Sequence, residues 1–118
     1  MIAIAVGTIL LSLAVPSYLS HVRRSTRTEA QSYLMSVAVR QQQFMLDTRA
    51  YAATVGAVGL AVPDRVQAGY TLRLTVDAGP PPTFRLVAEP AGNQAYDACG
   101  TLSIDQAGTK TAAKSGCW

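Results

Sequence analysis

A chain of 118 residues, 49% hydrophobic and only 14% charged, can bury one modest core and leaves no room for a second large domain. A net charge of +3 and a pI near 9.1 fit weak attraction to nucleic acid, phospholipid headgroups or acidic sugars, and select none of them.

The chain opens on MIAIAVGTILLSLAV, residues 1–15, without a charge. A membrane span needs about 20 apolar residues, so the run suffices only if more residues precede Met1, which is the expectation here. A cleaved secretory signal would lead from a basic start into a polar mature region, whereas this run passes straight into a second helical pattern. A remainder of about 100 residues has no interior able to wrap so uniformly apolar a cylinder; lipid or other copies of the stem must bury it. Pro16 is expected to bend or loosen the helix, and Gly7 and Thr8 to weaken the stem.

Beyond Pro16 apolar residues recur at Leu19, Val22, Ala30, Tyr33, Leu34, Val37, Ala38, Phe44 and Met45, mostly at helical spacings. They predict one amphipathic helix to about Asp47, with Arg23, Arg27, Gln31, Arg40 and Gln42 mostly off the buried stripe. Continuous helix from Met1 would be roughly 70 Å long. Arg23, Arg24 and Arg27 follow the apolar run closely, beside an exposed His21, and read as lipid-headgroup contacts; Glu29 can pair with nearby arginines.

Residues 48–69 lose periodicity and read as a long loop pinned by Tyr51 and Leu60. Alternation then returns: Tyr70, Leu72, Leu74 and Val76 share one strand face, Thr71, Arg73 and Thr75 the other. DAGPPP, residues 77–82, is a turn, and Thr83–Ala88 a second strand with Phe84, Leu86 and Ala88 on the dry face. Arg73 and Arg85 then share the wet face. A short third strand, Thr101–Ile104, ends in a DQAG turn. The pattern predicts an α+β architecture: a long N-terminal helix on an antiparallel sheet of three or four strands.

Cys99 and Cys117 suggest a single disulfide in an exported chain, closing a C-terminal loop at a gain of about 3 kcal/mol. With no C-x-x-C pair and a lone, distant histidine, no metal site is indicated. Asp97 and Asp105 bracket the third strand and read as turn and capping residues. No nucleophile stands with a base, and no phosphate loop or metalloprotease motif occurs, so no enzyme and no cofactor are expected.

The stem MIAIAVGTILLSLAVPSY, with Pro16 and Tyr18 in register, resembles the N-terminal helix of type IV pilins and type II secretion pseudopilins. With RRSTRTEAQSYLMSVAVRQQQFMLDTRAYA, GYTLRLTV, the pattern D-x-C-G-T-L-S-I-D-x-x-G-x-K and the closing Cys-Trp, nearly the whole chain is similar to PilE-like minor pilins and ComP-type DNA-uptake pilins. The family's mature N-terminal phenylalanine and its glutamate would precede Met1, and Gly7 stands one place before the glycine usual in these stems, with Thr8 in its place.

The resemblance implies the pilin ladle fold, with a hydrophobic stem at 1–22 and a periplasmic or extracellular domain at 23–118. Met1, Ile2, Ile4, Val6, Ile9, Leu10, Leu13, Val15 and Pro16 would serve membrane anchoring and filament assembly. The implied partners are other pilin subunits, the inner membrane before assembly, a prepilin peptidase and the pilus assembly platform, and DNA in a ComP-type role. A DNA receptor would use Arg65, Arg73, Arg85, Lys110 and Lys114 for salt-dependent phosphate contact. The leading reading is a structural minor pilin subunit of a type IV pilus; the DNA receptor is an alternative, as are a type II secretion pseudopilin, against which the cysteine pair argues, and an unrelated anchored adhesion domain.

Overall fold

The computed structural model describes the backbone from Ile2 to Trp118 and the side chains from Tyr18 onward. The stem residues named for assembly, Met1 and the side chains of Ile2, Ile4, Val6, Ile9, Leu10, Leu13, Val15 and Pro16, lie outside the described residues. Helix α1 spans Ile2–Thr48, α2 Val55–Val58 and α3 Asp64–Gly69; strands β1 (Tyr70–Asp77), β2 (Thr83–Pro90), β3 (Leu102–Asp105) and β4 (Lys110–Thr111) follow, with a short 3-10 helix at Gly92–Tyr96 between β2 and β3. The strands form one antiparallel sheet in the order β1-β2-β3-β4. Among the described residues no helix is long and apolar enough to cross a membrane.

The core follows from two periodicities meeting. Ala30, Tyr33, Leu34 and Val37 recur on one helix face and are buried, while period-two alternation turns Tyr70, Leu86, Ala88, Leu102 and Ile104 toward them. In β2 the alternation is complete: Phe84, Leu86 and Ala88 are buried and Arg85 is exposed. The register sets Leu74 opposite Leu86 and Leu86 opposite Ile104, so the apolar side chains of three strands form one row beneath the helix. At its end α1 closes on Arg49, which takes φ 62° and donates its amide to the Met45 carbonyl at 2.8 Å.

Residues 48–69 are more ordered than a loop. Thr54 caps α2 by accepting from the Ala57 amide at 3.1 Å, and α3 begins at Asp64 directly after Pro63. Helices of 4 and 6 residues are too short to display a 3.6-residue period, which is why the segment reads as irregular. The pinning residues act as expected: Tyr51 meets Phe84 edge to face at 4.8 Å, and the Leu60 carbonyl accepts from the Tyr33 hydroxyl at 2.9 Å.

Candidate nucleic-acid interface and the helix surface

Three polar clusters and one apolar stripe carry the chemistry of the described surface. The first cluster joins α1 to the 3-10 segment. Arg27 and Asp97 pair at 2.6 Å with side chains only 18% and 9% exposed, and the second Asp97 oxygen is buried with no hydrogen-bond partner among the described residues. Beside them the buried Gln94 donates through Nε2 to the Arg23 carbonyl at 2.8 Å and to the Tyr70 hydroxyl at 3.0 Å. Burial pushes the Tyr70 phenol above its ordinary value of 10.0 and the Gln94 hydrogen bond pulls it back; Asp97 raises it and Arg27 lowers it. Asp97 is therefore an ion-pair partner as well as a loop residue, and Arg27 faces the domain instead of solvent. Sequence periodicity missed this because it marks only apolar contacts, and the pair joins residues 70 positions apart.

The second cluster is the C-terminal segment. Cys99 and Cys117 form a disulfide with Cα atoms 5.8 Å apart, tying the last residues to the start of β3. Gln31, read as off the buried stripe, donates to the Cys117 carbonyl at 2.6 Å, and Ala113 donates its amide to the Cys99 carbonyl at 2.8 Å. Gly100 sits at φ 59° with its missing Cβ position 2.9 Å from the Ala113 side chain, so only glycine fits the close approach of the two segments. Trp118 is half-buried against the core cluster and donates Nε1–H to the Thr111 carbonyl at 2.8 Å. Its ring lies 5.8 Å below the Lys110 ammonium.

The third cluster is the outer sheet face. Arg73 pairs with Glu89 at 2.6 Å, and Arg85 reaches the Ser103 hydroxyl at 3.4 Å, itself hydrogen-bonded to Thr111. The five cations named for DNA contact are thus divided. Arg65 lies over α1, bonded to Ser25 at 3.1 Å and 3.9 Å from Glu29; Arg73 and Arg85 share the outer sheet face; Lys110 and Lys114 belong to the C-terminal segment. Lys110 stands opposite Ile104 in the ladder, on the helix side of the sheet, so strand parity separates it from Arg85. Arg85, Lys110 and Lys114 have no carboxylate within 4.0 Å among the described residues.

Sheet and helix also leave an apolar stripe open. Met35 is 38%, Val39 61% and Leu46 82% exposed, recurring at helical spacing on α1. Shallow grooves flank Met35 and Val39, one of about 430 Å³ reaching Ile104 and the Asp105–Gly108 turn. That turn is tight because the Asp105 carboxylate accepts from the Ala107 and Thr109 amides, each at 2.9 Å, as its turn-residue reading expects.

The profile of a family described as "Type IV minor pilin ComP, DNA uptake sequence receptor" matches residues 16–103, well over half of the chain. This chain belongs to the ComP family of type IV minor pilins. A solved structure agrees: a type IV pilin from Shewanella oneidensis is 26% identical and superposes at a TM-score of 0.63, with 81% of this chain and 97% of that one covered. No curated protein sequence matches the chain. In this ComP-family pilin the family match includes Arg27, Asp97, Arg65, Arg73 and Arg85 and ends before Lys110, Lys114 and Cys117. The ladle architecture expected from the resemblance, a long helix on an antiparallel sheet with a C-terminal disulfide, is the one observed.

Proposed function

We propose that this protein is a minor subunit of a type IV pilus that receives DNA at the filament surface. The match of residues 16–103 to a family described as a DNA uptake sequence receptor carries the reading. Residues 1–22 act as the stem: they hold the subunit in the inner membrane and, after prepilin processing, pack with other stems in the filament. Residues 23–118 form the domain that faces outward. The exposed Met35, Val39 and Leu46 suit contacts with neighbouring subunits, since burying them between copies removes apolar surface from water. The role is structural and recognitive, with no catalytic step.

For DNA the cations without carboxylate partners are the best candidates. Lys110 and Lys114 occupy an open concavity formed by residues 110–118, rimmed by Trp118, where phosphates meet ammonium groups beside an aromatic ring. Arg85 supplies a further contact from the sheet face; Arg73 is already occupied by Glu89. The test is fluorescence anisotropy of labelled duplex DNA titrated with the full chain in detergent at two salt concentrations. Binding that weakens steeply with salt supports the DNA reading, and no binding at low salt leaves a filament-building subunit alone.

A further inference from the structure

The first carboxylate of the chain is Glu29. Before it, just beyond the apolar run, stand His21, Arg23, Arg24 and Arg27. Arg27 is neutralised by Asp97, whereas Arg23 and Arg24 have no carboxylate within 4.0 Å among the described residues. Arg23 is also where the domain grips this end of the helix. Its Nε donates to the Asn93 carbonyl at 3.1 Å, and its guanidinium lies 5.3 Å from the centre of the Tyr96 ring. Those contacts fix the 3-10 segment at the level of Arg23, yet Tyr96 remains 75% exposed, and Tyr18 is 66% exposed.

Exposed tyrosines with arginines that face no carboxylate, at the end of an apolar helix, are the composition of a membrane–water interface. The dimensions agree. At 1.5 Å per residue Arg23 stands roughly 12 Å beyond Val15, and a headgroup layer is about 5–8 Å deep. Helical side chains lean toward the N-terminus, which favours a reach of the exposed Arg24 back across that gap toward phosphate, while the Arg23 guanidinium stands beside the Tyr96 ring.

We propose that Tyr18, Arg23, Arg24 and Tyr96 form a foot on which the globular domain rests against anionic phospholipid headgroups before the subunit enters a filament. The inference rests on the reading of the stem as a membrane anchor. It goes beyond that reading because it brings a part of the globular domain, the Gly92–Tyr96 segment, onto the bilayer and gives the domain one orientation there. Met35, which shares a groove with Lys110, lies twelve residues beyond Arg23, so Lys110 stands roughly 18 Å farther from the surface and stays free for other ligands.

The experiment places the full chain, its apolar run lengthened at the N-terminus by about six leucines to the roughly 20 residues a span needs, in nanodiscs of phosphatidylcholine alone or with phosphatidylglycerol, each with a trace of headgroup-nitroxide lipid. Paramagnetic broadening of the Asn93–Tyr96 amides is read against that of Gly108. Each basic side chain near an anionic surface is worth roughly five-fold, so the docked-to-free ratio is expected to rise about 30-fold with anionic lipid. Arg24→Gln is expected to lower it about five-fold, and Tyr96→Ala to lower it further; both positions are exposed and leave the core intact. Equal broadening in the two discs, or no response to either substitution, overturns the foot and leaves the anchor standing. Failure of the chain to enter either disc overturns the anchor reading, and the foot with it.

Discussion

Helix α1 meets the domain along two neighbouring stretches held by opposite chemistry. From Ala30 to Val37 the contact is dry: four side chains, none more than 6% exposed, lie on Leu86, Ala88, Leu102 and Ile104. From Arg23 to Arg27 it is polar, made of the Arg27–Asp97 pair, the Gln94 amide and the Tyr70 hydroxyl. Apolar burial is non-directional and supplies most of the adhesion; the polar stretch adds little net energy because desolvation offsets attraction, yet its hydrogen bonds form at one register only. The dry stretch therefore holds the helix to the sheet, the polar stretch sets where along the helix the Gly92–Tyr96 segment sits, and Gln31, bonded to the Cys117 carbonyl, sets the place of the disulfide loop.

Substitutions separate the two roles. The largest expected effect is in the dry stretch: Leu34→Ala removes a fully buried side chain and should lower unfolding free energy by about 3–4 kcal/mol, read from urea midpoints. Opening the disulfide by Cys99→Ser with Cys117→Ser should cost about 3 kcal/mol for a sequence separation of 18. Arg27→Met leaves Asp97 buried without its partner and should cost about 2 kcal/mol, reduced from a fully buried case because the pair retains some exposure. The double variant Arg27→Met, Asp97→Leu should recover most of that loss in a double-mutant cycle; no recovery would mean that the pair does more than position the segment. Tyr33→Phe deletes the hydrogen bond to the Leu60 carbonyl, about 1 kcal/mol.

Alkaline pH gives the smallest and broadest test. Burial raises the phenol pKa of both Tyr33 and Tyr70 above 10.0 in the folded chain. The unfolded chain then releases these protons first as pH rises. Their contribution to stability is complete below pH 10 and is lost as pH climbs through the raised folded values. Tm should therefore fall above pH 10, and Tyr33→Phe should reduce that fall.

How far the sequence could be read depended on periodicity. The stripe at Ala30, Tyr33, Leu34 and Val37 and the alternation in β1 and β2 are repeating signals, and they located the core and the hairpin faces. Gln41 and Gln94 are buried yet invisible to that reading. Gln41 sits on the helix seam and bonds both the amide and the carbonyl of Ala52, a contact that only the fold creates. Likewise Arg27 and Gln31 look like solvent-facing residues until the C-terminal loop wraps over them. For the DNA candidates, charge alone cannot distinguish a cation held by a carboxylate, as Arg73 is by Glu89, from Lys114, which has none nearby among the described residues.

The most direct test of the DNA-receptor reading is the salt slope of duplex binding by the full chain, compared with Lys110→Ala/Lys114→Ala and with Arg73→Ala. The account predicts measurable affinity at low salt, a slope shallower by about two in the double lysine variant, and little change in the arginine variant. No binding at low salt, or a double variant indistinguishable from the parent, would contradict it.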